Sequence, residues 1–418
     1  MLQRIDGGYV KLSTQAKHRD ESRCGTHECV RYNAELFADA GVLLISEPIA
    51  REMGPRWTAR LVFLKIHLWL GLAAAIFLII LGLTGSIMAF EGDIDHWLHP
   101  SLWYVDVRPQ ALPQQELIDR VQRQFAPARV AAVQIFRQKN LAEAMQMTDR
   151  SVVLVNPYDG AMLGHTTGPS SVQKTLGYIH QFHLRLIPDP RSSPSLSKVG
   201  KLIVSFAGLI LCLQVPIGIY LWWRTKRASI QWKASWFRTC FDVHHALGVY
   251  GALFLFIAAF TGVLIGFDFG EKAIYAIAHS SPPARKPPPQ STVIAGAVPI
   301  SVDRALEIAR QSMPDASVAA LLVPVNPKAA FNVLMRLPEE TSEAVNSMVS
   351  VDQYSGKVLR LVSHKTESAG YRVIRFNRSI HTGDVFGVAT HIIVSLSSLL
   401  LVAMVISGVV IWWKKLAV

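Results

Sequence analysis

Four stretches of this 418-residue chain, about 61–90, 199–223, 246–267 and 388–413, are apolar and almost free of charge. Each has the length, roughly 20 residues of helix, that crosses a hydrocarbon core of ~30 Å. In lipid a backbone must satisfy its own polar groups, so runs of this kind fold as helices. The expected fold class is therefore a membrane protein built on an α-helical four-span bundle. Half of all residues are hydrophobic, which suits a few spans with soluble parts between them. A formal charge of +12 raises nucleic acid as a partner, but the clustered basic residues flank spans instead.

Arg51, Arg56, Arg60 and Lys65 precede the first span. Arg224, Lys226, Arg227, Lys233 and Arg238 fill the link between the second and third, and Lys414 and Lys415 follow the fourth. The positive-inside rule places these three ends in the cytoplasm. Both termini are then cytoplasmic, and the two large loops, about 91–198 and 268–387, face the periplasm of a bacterial inner membrane. Cysteines occur only at 24, 29, 212 and 240, none of them in those loops, so no disulfide framework is implied. Residues 1–55 are polar, irregular and without a signal-peptide pattern, and they are expected to form a disordered cytoplasmic tail. Cys24, His27 and Cys29 lack a fourth ligand, and Met53 offers an alternative start.

The spans repeat. Residues 65–90, KIHLWLGLAAAIFLIILGLTGSIMAF, lie without a gap over 242–267, DVHHALGVYGALFLFIAAFTGVLIGF. His67 meets His244, Gly71 meets Gly248, Phe77 meets Phe254, and Thr84-Gly85 meets Thr261-Gly262. The second and fourth spans align too, with Ser205 on Ser395, Gly218 on Gly408 and Trp222-Trp223 on Trp412-Trp413. Between spans, Leu117, Ile118, Val121 and Phe125 recur at helical spacing, and so do Val302, Ala305, Leu306 and Ala309. Each of these helices is followed by β-branched runs and a turn, Asn156-Pro157-Tyr158-Asp159-Gly160 or Asp352-Gln353-Tyr354-Ser355-Gly356.

The segments VNPYDGAMLG and VDQYSGKVLR resemble the closing hairpin of PepSY domains, and the whole of 57–417 resembles the PepSY-associated membrane-helix proteins, a family that includes inner-membrane siderophore reductases. The resemblance implies two periplasmic α+β modules in an internal duplication, span, module, span, written twice. The expected segments are 57–98 (first span and extension), 100–187 (module 1), 197–223 (second span), 224–240 (basic link), 241–268 (third span), 269–289 (Pro-rich linker), 290–380 (module 2) and 386–413 (fourth span).

Of fourteen histidines, seven lie in or beside spans, where an ionisable group is costly and a functional suspect. A single such histidine commonly bonds a neighbouring helix carbonyl. Two at equivalent places point instead to an axial pair, so His67 and His244 are expected to ligate haem b near the cytoplasmic face. His245 is the reserve. At the outer face, His381-Thr382-Gly383-Asp384 is similar to the family's histidine followed by a Thr-Gly-acid turn, and His183 is its nearest counterpart. There the reserves are His180 and His391. Arg185, Arg372, Arg375 and Arg378 stand nearby as contacts for haem propionates or an anionic chelate. His96, His99, His165, His279 and His364 follow no pattern.

Two haems along the membrane normal would carry single electrons from a quinol or a cytoplasmic reductant. The resemblance makes the acceptor a periplasmic ferric siderophore, from which Fe(II) is released for uptake. The chain is then an oxidoreductase, with membrane lipid, donor and chelate as partners. The alternative is a non-enzymatic, membrane-anchored PepSY protein that modulates a peptidase or sensor. Hydrolase, kinase and dinucleotide motifs are missing, and so are the basic aromatic surfaces of nucleic-acid binders.

Overall fold

The structure, a computed structural model, describes residues 58–416 apart from 225, 227, 285, 286 and 341–346. The expectations for residues 1–55, with Cys24, His27, Cys29 and Met53, lie outside the described residues. So do Arg51, Arg56 and Arg227 of the basic flanks. The first half runs α1 (Ala59–Met88), α2 (Glu91–Leu98), α3 (Pro100–Trp103), α4 (Gln114–Gln124), β1 (Val130–Gln134), β2 (Glu143–Met147), β3 (Val152–Val155), β4 (Met162–Thr166), α5 (Ser171–Arg185) and α6 (Pro194–Trp223). The second runs α7 (Trp236–Gly266), α8 (Asp268–Ile277), α9 (Val302–Ser312), β5 (Ser317–Leu322), β6 (Phe331–Arg336), β7 (Ser347–Val351), β8 (Val358–Val362), α10 (Ala369–Thr382) and α11 (Val388–Leu416).

Four helices, Ala59–Met88, Pro194–Trp223, Trp236–Gly266 and Val388–Lys414, are long and apolar enough to cross a membrane. Helices α1 and α7 each pack on both α6 and α11, which sets α1 and α7 on one diagonal of a four-helix bundle. Without a hydrophobic drive in lipid, helices associate through close packing of small residues. Gly82 of α1 shows this, because a Cβ there would lie 2.7 Å from the Ser398 carbonyl of α11. One turn on, the Ser395 hydroxyl donates to the Ser86 carbonyl at 3.1 Å. Helix α7 starts at Trp236, ahead of the expected 241, because Ser235 caps it by accepting from the Arg238 N–H. The expected linker from 269 begins as helix α8, and the prolines come after it.

The strands form one eight-stranded sheet in the order β4-β3-β2-β1-β5-β6-β7-β8. Two modules were expected, with nothing said of how they meet. Strands β1 and β5 pair antiparallel, Val133 opposite Leu321, and join the two edge to edge. The helical spacing read from the sequence picks out the buried faces of α4 and α9. Leu117, Ile118, Val121, Ala305, Leu306 and Ala309 pack with Val133, Met145, Val153, Leu321, Val333, Met335 and Val349 in a single core. Each large side chain buried there contributes about 1.5–3 kcal/mol.

The positive N-terminal ends of α4 and α9 meet. Asp303 relieves that contact by accepting from the Gln114 and Gln115 N–H groups at 2.9 and 3.2 Å. Gln115 returns the bond by accepting from the Val302 N–H at 2.9 Å. The two hairpin turns share one geometry. Asn156 and Asp352 accept from the N–H two residues on, at 2.9 Å in both turns, and Gly160 and Gly356 take φ of +74° and +70°.

Candidate functional site

Helices α1 and α7 project His67 and His244 across the bundle diagonal, with ring centroids 6.3 Å apart and planes crossed at 88°. Toward the sheet side, α5 and α10 bring His183 and His381 together in the same way, at 6.4 Å and 56°. Imidazoles on opposite sides of one metal, with bonds of ~2.0 Å and about 1.2 Å more to each ring centre, stand about 6.4 Å apart. Both pairs have that separation. Among the described residues no third His, Cys, Asp or Glu joins either pair to make a metal cluster. Two donors per centre suit the axial positions of a tetrapyrrole.

The hydrogen bonds decide which ring nitrogen is available. Thr84 donates to the Ile80 carbonyl at 2.6 Å, so toward His183 Nδ1, 2.9 Å away, its oxygen is an acceptor. Thr261 does the same for His381, donating to Ile257 at 2.7 Å and accepting at 2.9 Å. His244 Nδ1 donates to the Met404 carbonyl at 3.0 Å and to Ser407 Oγ at 3.1 Å. These three rings therefore carry their proton on Nδ1, and Nε2 keeps its lone pair for ligation. His67 differs. Its Nδ1 is buried with no hydrogen-bond partner among the described residues.

A glycine backs each ring. A Cβ on Gly218 or Gly408 would come within 3.3 Å of His67 Cε1 or 3.2 Å of His244 Cε1. On Gly85 or Gly262 it would come within 3.2 Å of His183 or 3.0 Å of His381. Real Cβ contacts seldom come this close, so any larger residue would push the ring toward its partner. Sequence reasoning aligned these glycines and Thr84 with Thr261 without giving them a role. Their recurrence beside the histidines was the available signal.

The two pairs are well separated. His67 and Thr84 lie seventeen residues apart on α1, as do His244 and Thr261 on α7, which is about 25 Å along a helix axis. Helices α5 and α10 lie outside the four span candidates, and burial chiefly sets the charge of their histidines. Burial, helped by the neighbouring His381 and His180, pushes His183 down to about 3, and burial lowers His381 as well. Both are neutral at physiological pH, as metal ligation requires.

The structure brings none of the reserve histidines into a facing pair. His180 Nδ1 donates to Glu91 at 2.7 Å, His391 Nε2 bonds Asp384 at 3.0 Å, and His245 lies against the Phe241 ring at 4.2 Å. Arg185 donates to Ser197 Oγ at 3.0 Å. Arg372 and Arg378 are exposed on α10, and Arg375 is half-buried.

No curated protein matches the chain. The sequence matches the family described as PepSY-associated TM region over residues 64–415, which takes in the sheet, three of the four long apolar helices and all but the first turn or so of Ala59–Met88. The chain belongs to the PepSY-associated TM region family.

Proposed function

We propose that this protein is a haem-b-dependent reductase of the bacterial inner membrane, in which His67 with His244 and His183 with His381 are two axial pairs. The observation that carries the reading is the pair separation, 6.3 and 6.4 Å, at two levels of one bundle. Haem b bound at each pair would supply one-electron redox chemistry. The chain's own residues hold the ligands. Thr84, Thr261 and Met404 keep the Nδ1 protons in place, the four glycines fix how near each ring sits to its partner, and the apolar helices exclude water.

In this reading the basic ends face the cytoplasm and the sheet faces the periplasm. The donor is a quinol or a cytoplasmic reductant, and the acceptor is a periplasmic ferric siderophore that takes one electron per iron. Exposed Arg372 and Arg378 suit its negative charge. The recurring order of helix, four strands and helix on each side of the β1–β5 join supports descent from a duplicated half.

The test is optical. The purified protein, expressed with haem supply, should show a b-type Soret band that shifts on dithionite reduction and reverts when a ferric siderophore is added. His67→Ala and His381→Ala should each lose about half of the bound haem. A colourless wild-type protein would remove the reading.

A further inference from the structure

The two rings of the His67–His244 pair are held differently, and the difference centres on Gln214. This residue lies within α6, in an apolar span, and is 92% buried, its exposure being 8%. Its Nε2 donates to the His67 carbonyl at 2.7 Å, and its Oε1 is buried with no hydrogen-bond partner. An amide half-satisfied in an apolar interior is costly enough that a structural filler would not need it. Room is made for it: a Cβ on Gly71 would lie 2.8 Å from Nε2. Met404 and Ser407 hold His244 through its Nδ1, and the sequence alignment of the spans sets Gln214 opposite Met404 and the apolar Ile217 opposite Ser407. His67 thus has no hydroxyl to hold its ring, and Gly218 of α6 is what that ring lies against. Two residues on, Pro216 interrupts α6, so this stretch of helix is less firmly held by its own ladder.

We propose that Gln214 is the positioning residue of His67. Its side chain ties the His67 main chain to α6 and so sets where the imidazole lies against Gly218 of that helix. It replaces the hydroxyl that Ser407 provides to the other ring. The proposal rests on the axial-pair reading. Fixing an axial imidazole in place strengthens it as a ligand, and the stronger axial ligand favours ferric over ferrous iron, so one centre's potential depends on an amide that does not touch the metal.

The test is a redox titration of the full chain reconstituted with haem, followed by its absorption spectrum. Gln214→Met, which places the opposite helix's residue here, should keep both haems. It should lower the ferric preference of one of them about tenfold, a positive shift of ~59 mV, and leave the other unmoved. Gly71→Ala, which crowds the amide without removing it, should shift the same centre in the same direction by less. It serves as the second measurement if Gln214→Met fails to fold. Unmoved potentials in both variants, or equal shifts of both centres, would overturn the role of Gln214 while leaving the pairs intact. A wild-type protein that binds no haem would instead remove the axial-pair reading on which the role depends.

Discussion

At the scale of single residues, the four paired histidines depend on partners of unequal strength. His381 Nδ1 faces both Thr261 and the Ala258 carbonyl at 3.1 Å, whereas the hydrogen bond of His183 is to Thr84. If the pairs ligate haem as proposed, Thr84→Val should therefore weaken its retention at that pair by about tenfold, and Thr261→Val by less. Haem per protein after serial dilution measures both. Gly262→Val, at the tightest of the four glycines, should remove that haem altogether while the far pair keeps its spectrum. That these histidines would face each other was legible in the sequence, because the spans repeat and a membrane makes an ionisable side chain conspicuous. His180 and His391 were equally conspicuous. What separates them from His183 and His381 is a carboxylate within bonding distance, Glu91 or Asp384, and the sequence alone does not show that contact. Gln214 escaped notice because it carries no charge and matches a methionine in the aligned span.

At the scale of elements, β2 carries a buried carboxyl, Glu143, which accepts two bonds from the Gln114 amide at 2.9 and 2.8 Å. Burial raises its pKa to about 7, and the amide only partly offsets that. Because the folded value lies above the unfolded one, the native state holds the proton more tightly. Its contribution is complete below the unfolded value of 4.5 and is lost as pH rises through about 7. The sheet should be less stable at pH 8 than at pH 5, by on the order of 3 kcal/mol at most from this group. Glu143→Gln should flatten that slope in thermal melts followed by far-UV circular dichroism. Asp303→Ala should cost about 1–2 kcal/mol, because it uncovers the N–H groups of α4 that it caps. Periodicity revealed α4 and α9, the hairpin turns and the spans. It gave no sign of the Asp303 contact, which joins residues 114 and 303 through tertiary structure alone.

At the scale of the whole molecule, the spans and the order of elements were readable in advance, but the union of the two modules was not. A strand's alternation says which face is buried, and β1 and β5 show nothing in their side chains of which edge will pair. The pairing is made by backbone groups, including the Ile135 N–H to Ala319 at 2.9 Å and the Val323 N–H to Ala131 at 2.9 Å. Halves expressed as two chains, divided in the 224–235 link, should therefore co-purify through the sheet and the bundle. Val133→Pro, which disrupts β1 at its pairing edge, should weaken that recovery strongly.

The same join bears on solubility. A half-molecule alone would expose β1 or β5 as a strand with unpaired N–H and C=O groups, a template for any other extended chain. Pairing the two removes both edges and leaves only β4 and β8 at the margins of the sheet. Chains truncated after α6 should accordingly be recovered as aggregates while the complete chain stays dispersed, so the second half acts as the first half's protection against self-assembly.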